Sequence, residues 1–147
     1  MTIEMTSNVA QVTGELNAIL ARVQDPVRFF DWVGKRQKKI VKNRIQYTKT
    51  DPDGRQWTPW TSFTEIKRQM AGNVGQGIMW DSGALLNSVR YDVDGTFGVD
   101  IGSDIWYAPL QQDGGGRIPS RQIFGWEEAS LPQMALAFVR HLEGVPL

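Results

Sequence analysis

Between residues 89 and 101 the sequence alternates with a period of two. Val89, Tyr91 and Val93 are apolar and Arg90, Asp92 and Asp94 are charged; after Asp94-Gly95, apolar residues return at Phe97, Val99 and Ile101. Alternation of this kind gives a strand with one wet and one dry face. Asp-Gly between two such runs is a favoured hairpin turn. The chain is therefore expected to hold a small antiparallel sheet near 89–101, with helices covering one face.

The covering helices are legible on either side. Val9, Val12, Leu16, Ile19 and Val23 recur at three- and four-residue spacing, predicting a helix over 8–23 capped by Ser7 or Asn8. Asp25-Pro26 ends it and starts a second helix, with Asp25 as cap and Val27, Phe30, Val33 or Gly34, Ile40, Val41 and Ile45 as its buried stripe. The pair reads as an antiparallel helical hairpin. A last helix over 126–143 carries Leu131, Met134, Ala135, Phe138, Val139 and Leu142; Pro132 near its first turn argues for a start at Ser130.

Thr50 to Arg55 is turn chemistry, with Asp-Pro and Asp-Gly steps. An aromatic knot of Trp57, Trp60 and Phe63 follows, then a short helix over 61–70 capped by Thr61 or Ser62. Asp81-Ser82-Gly83 reads as the cap of a helix of about two turns through Ala84, Leu85 and Leu86. Glycine-rich residues near 71–78 and 111–122 are expected to be mobile loops that order between subunits. The fold class expected is α+β, one domain over 1–147: a small antiparallel sheet against an N-terminal helical hairpin and a C-terminal helix.

Composition removes several function classes. The 147 residues contain no Cys and one His, His141, which rules out disulfides and thiolate metal sites and leaves no histidine pair for a metal or a catalytic dyad. Asp81-Ser82-Gly83 lacks the Gly-x-Ser-x-Gly setting of a nucleophile, and Asp92, Asp94, Asp100 and Asp104 lack calcium-loop spacing. Gly114-Gly115-Gly116-Arg117 lacks the Lys-Ser/Thr of a phosphate loop. No cofactor, no metal and no enzyme activity are expected. Sixteen basic and sixteen acidic residues balance to zero, which suits a self-associating subunit better than a polyanion binder. There is neither a secretory-type start nor a run long enough to span a membrane, so a soluble protein made in a cytoplasm is expected.

Four segments, in order, resemble the phage virion morphogenesis family of tail-completion and neck proteins. They are Pro52-Asp53-Gly54-Arg55-Gln56-Trp57 with Pro59-Trp60; Met79 to Ser88, similar to the family's hydrophobic-x-Asp-Thr/Ser-Gly-x-Leu-x-x-Ser; Ile101 to Ala108, with its Tyr107-Ala108 pair; and Ile118-Pro119-Ser120-Arg121-Gln122-Ile123-Phe124-Gly125. They lie within residues 52–125, about half the chain. Gln111 stands where relatives commonly carry His, and Gln122 where a Pro often follows the Arg. The resemblance implies a structural virion protein at the head–tail junction, assembled in the host cytoplasm. It would be a tail-completion or tail-terminator subunit acting in a closed ring, commonly six-fold, with adjoining neck, connector and tail-tube proteins as partners. A head-closure or other neck ring is the near alternative.

Two groups of residues are the candidate sites. Trp57, Trp60, Phe63, Trp106, Tyr107, Arg117, Arg121 and Phe124 are candidates for the subunit interface, since aromatic and Arg anchors dominate binding hot spots; the bland reading of the Trp57–Trp60 knot is a satellite core under a long loop. Lys35, Lys38, Lys39 and Lys42, in a basic stretch over 35–49, are candidates for a DNA-facing lumen, attracting phosphates without reading sequence. The alternatives there are a solvated helix face paired with acids, an intersubunit contact, or a small DNA-binding module.

Overall fold

The computed structural model describes residues 9–72, 77–95 and 97–147. Its order is α1 (Val9–Gln24), α2 (Val27–Asn43) running into a π-helical turn (Arg44–Thr48), α3 (Ser62–Met70), α4 (Ala84–Ser88), β1 (Arg90–Asp94), β2 (Gly98–Gly102), α5 (Ala108–Asp113) and α6 (Leu131–Glu143). A 3-10 turn at Glu128–Ser130 leads into α6. This is the expected α+β arrangement, with the strand hairpin packed on α2 and α6 touching both α1 and α2. The chief partner of α1 is α6 rather than α2. The expected cap of α1 at Ser7 or Asn8, and residues 73–76 of the glycine-rich stretch, lie outside the described residues.

Tyr91 pairs with Ile101, Asp92 with Asp100, Val93 with Val99 and Asp94 with Gly98. Asp94 therefore belongs to the strand, and the connection is residues 95–97, longer than an Asp94-Gly95 turn alone. Tyr91, Val93, Val99 and Ile101 are half-buried on the side facing α2, whereas Asp92 and Asp100 are exposed. The close approach depends on Gly34: a Cβ there would lie 2.2 Å from Cδ2 of the Tyr91 ring. The Tyr91 hydroxyl donates to Asp31 Oδ1 at 2.8 Å and ties the two layers at their rim.

Helix α2 does not bury the stripe its apolar residues draw. Its buried positions are Val33, Gly34, Gln37 and Val41, continued by Arg44 and Ile45 in the π-helical turn; Phe30 and Ile40 are half-buried and Val27 is exposed. Gln37 and Arg44 go inside because carbonyls await them. Gln37 Nε2 donates to Gly125 O at 2.8 Å, and Arg44 Nη1 donates to Ile123 O at 2.6 Å while its Nη2 pairs with Glu127 at 2.7 Å. Asp25 is not the cap expected of it: Pro26 takes that position, and its carbonyl accepts from Phe30 N at 3.0 Å.

The core is formed by Val41, Ile45, Trp57, Leu85, Val89, Ala108 and Ile123, drawn from five separate stretches of chain. The turn at 50–56 closes through a Thr50–Gln56 bridge and delivers Trp57 to that core, where its Nε1 donates to Gln122 O at 3.1 Å. Gly83, with φ +81°, takes the cap position of α4 in the left-handed region that glycine tolerates, so the helix is five residues long and starts after the expected Asp81-Ser82-Gly83 cap. Helix α6 starts at Leu131 with Ser130 as its cap residue, as Pro132 implied.

Candidate functional site

The four family-like segments fold to one place. Residues 58–61, 63 and 64 with Arg68, residues 78, 79 and 81–85, Tyr107 with Gln111, and residues 116–119 with Arg121 line a single open groove of about 1270 Å³. Arg121 is its keystone. It is buried, and its Nε donates to Thr58 O at 2.9 Å, Nη2 to Pro59 O at 3.3 Å and Nη1 to Gln111 Oε1 at 3.4 Å. Burial pushes the Arg121 guanidinium below its ordinary pKa, yet arginine remains charged across any accessible pH. Gln111 thus accepts from the Arg of the fourth segment, a contact that its neutral amide makes without adding a second cation.

The second half of the groove's support is Gln112. Its Oε1 accepts from the N–H groups of Ile123 and Phe124 at 2.7 and 2.9 Å, and its Nε2 donates to Phe124 O at 2.9 Å. Ser120 Oγ donates to the Gln112 carbonyl, and Arg121 N to the Gln111 carbonyl. The stretch expected to be a loop over 111–122 therefore begins as the last turn of α5 and is stitched back on itself. No motif pointed to α5, because a six-residue helix with Pro109 in its first turn has too little periodicity to register.

The eight interface candidates separate by depth. Trp57 and Arg121 are buried, Trp57 in the core and Arg121 in the groove wall. Phe124 is half-buried against the core, and Tyr107 and Trp60 are half-buried in the groove wall. The Arg68 guanidinium lies 4.3 Å from the Trp60 ring and donates to Trp80 O at 3.1 Å. Phe63, Trp106 and Arg117 are exposed, Trp106 to 84%, with only an edge contact to Tyr107 at 5.5 Å. Ile66 and Met70 extend the exposed face of α3 begun by Phe63.

The basic helix is divided as well. Lys35 pairs with Asp31 at 2.6 Å, and Lys38 sits 5.9 Å from the Tyr91 ring. The hydrogen bond from Lys35, then that from Tyr91, holds the Asp31 carboxyl below the usual carboxylate range. Lys39 and Lys42 line a shallow hollow of about 560 Å³ with Arg36 and Tyr47. The acid at that hollow, Glu127, is already paired to Arg44. Among the described residues, no group of three or more acids and His could hold a metal, and Asp104 is paired with Arg90 at 2.9 Å. No helix of the described residues is long and apolar enough to cross a membrane.

Large apolar side chains stand in water elsewhere. Helix α1 buries no residue, and Val9, Val12, Leu16, Ile19, Leu20 and Val23 are all exposed. Leu131, Leu136 and Val139 are exposed on α6.

The family model that matches this chain is that of the phage virion morphogenesis family, over residues 7–143. No curated protein and no solved structure matches it.

Proposed function

Because this chain belongs to the phage virion morphogenesis family, we propose that it acts at the head–tail junction as a tail-completion or tail-terminator subunit. In this reading copies of the chain close into a ring, of six members, that caps the tail tube and joins it to the head. The observation that carries the proposal is the amount of helix surface left apolar and uncovered. Six aliphatic side chains on α1, three on α6 and the Phe63–Ile66–Met70 face of α3 are exposed. Exposed contiguous apolar faces of this size mark protein contacts. Covering the six on α1 alone is worth on the order of 5 kcal/mol before the costs of association. Nothing in the groove resembles a catalytic constellation: its one buried charge, Arg121, is committed to two carbonyls and an amide. Its work is to fix the surface that neighbours meet.

The test is a mass measurement of the purified protein, alone and with tail tubes, by light scattering and native mass spectrometry. Concentration-dependent rings that seat on tube ends are expected. A protein that stays monomeric in both conditions refutes the ring. Seating on filled heads but not on tubes would move the role to head closure.

Contact with genomic DNA inside the ring is a second reading, favoured by the hollow in which Arg36, Lys39 and Lys42 share a single, already paired acid. Charge reversal at Lys38, Lys39 and Lys42 is then expected to impair DNA retention or ejection while rings still form. Normal infectivity of that variant would dismiss it. Salt-sensitive DNA binding by the isolated monomer would instead favour a small DNA-binding module.

A further inference from the structure

Helix α1 meets its own protomer with the wrong edge. Arg22 Nη1 donates to Leu142 O at 2.7 Å, the Arg22 carbonyl accepts from His141 Nε2 at 3.1 Å, and Ala18 and Ala21 line the adjoining cleft with Arg22. Val9, Val12, Leu16, Ile19, Leu20 and Val23 centre nearly half a turn away, at about 100° per residue, and face outward. An amphipathic helix on its own domain ordinarily does the reverse. Only Glu15 and Arg22 are charged in the sixteen residues of α1, and Arg22 is occupied within the protomer. The outward face thus has little to offer a phosphate or a salt-bridged partner.

Helix α6 is apolar on two sides. Ala137 and His141 are buried, and Phe138 stacks edge-on to Phe29 at 5.0 Å on the inner side; Leu136 and Val139 remain exposed on the outer one, and Leu131 is exposed at the first turn. Two exposed aliphatic side chains opposite a helix's buried side mark a second face that a partner can cover.

We infer that α1 of one copy lays its aliphatic stripe on the outer face of α6 of the next copy. The occupant is a second copy, because the chain itself carries both halves of the contact. A head-to-tail ring needs two unlike faces on every subunit, and here are two, with six aliphatic side chains on α1 and Leu136 and Val139 on α6. A different partner would account for one face and leave the other bare. Charge fits as well: Glu15 flanks the α1 stripe and Arg140 flanks the outer face of α6, both exposed. This assignment deepens the ring reading and rests on it, but it can fail separately.

The chain has no cysteine, so crosslinking is clean. Leu16→Cys and Val139→Cys are made as separate proteins, mixed at assembling concentration and oxidised. A disulfide-linked dimer containing one copy of each is expected from the mixture, with little product from either protein alone. Leu16→Asp is expected to lower ring occupancy at least tenfold while leaving the monomer's circular dichroism and melting unchanged. Dimers from Leu16→Cys alone would mean a back-to-back contact and overturn the head-to-tail assignment. Capture of Leu16→Cys only by added tail tubes would give the stripe to the tube and overturn it too. Rings that form with no crosslink, and that tolerate Leu16→Asp, would refute the α1–α6 contact and leave the ring intact. Wild-type protein that is monomeric with and without tubes would defeat the ring reading itself.

Discussion

Helix α2 lays Val33, Gly34 and Val41 against the strand hairpin and takes Gln37 inside with them, with Arg44 following in the next turn. Helix α1 is one residue shorter, directly precedes it, and buries nothing. In α2 and the turn that continues it, two polar side chains are inside because the backbone at 123–125 offers them acceptors. In α1 six aliphatic side chains are outside because the protomer brings them no partner. Burial in this molecule follows what arrives opposite a residue more closely than the residue's own polarity. A helical period identifies a face; the rest of the fold decides whether that face is covered.

Substitutions can break this contrast. The largest effect is expected at Arg44, 1% exposed, whose removal strands the Ile123 carbonyl and leaves Glu127 without its partner. Arg44→Ala should cost about 3–5 kcal/mol, read as a fall in the urea midpoint. The same measurement on Ile45→Ala should show a loss of about 2–5 kcal/mol, while Leu16→Ala in dilute monomer stays within about 0.5 kcal/mol. A comparable loss at Leu16 would mean that α1 is covered within the protomer after all.

A sharper form uses one substitution in both helices. Gly34→Ala drives a methyl into the base of the Tyr91 ring and should destabilise by about 1–3 kcal/mol. Gly14 has nothing within 4 Å of its would-be Cβ, so Gly14→Ala should stabilise by about 0.5–1 kcal/mol through helix propensity. Two effects of the same sign would refute the distinction.

The smallest effect concerns the rim of α2. Asp31 has a folded pKa below 3.8, from its bonds to Lys35 and Tyr91. A depressed carboxylate contributes stability that is present above its unfolded pKa and lost as pH falls through the folded value. Acid titration of stability should therefore show a shallow extra loss below pH 3.8, and Asp31→Asn should lack it. An unchanged acid slope in the variant would show that Asp31 is not the group responsible.

Sequence signals are legible where the chemistry is local. The 50–56 turn, the Thr61 cap of α3, the strand alternation and the Ser130 start of α6 all follow from side chains acting on backbone within a few residues. Asp25 carried the right cap chemistry and lost the position to Pro26, a competition one residue wide. What sequence could not reveal is set by distance along the chain. Nothing near Gln37 or Arg44 announces acceptors some 80 residues on, and nothing near Gln112 marks it as a substitute strand partner for Ile123 and Phe124. The candidate groove was legible as four separate segments; their convergence depends on Arg121 reaching Thr58 and Pro59. Trp57, an interface candidate by residue type, proved to be core because the 50–56 turn points it inward.

The Arg44–Ile123 bond spans 79 residues, and this bears on how the protein is made. At about 5–20 residues per second, ribosomes add that stretch in roughly 4–16 s. Throughout that interval α2 has been synthesised and its guanidinium has no Ile123 carbonyl to find. The helix that anchors the domain is therefore translated well before it is secured. Truncated chains that stop short of residue 123 should be substrates for quality control instead of building blocks for a virion.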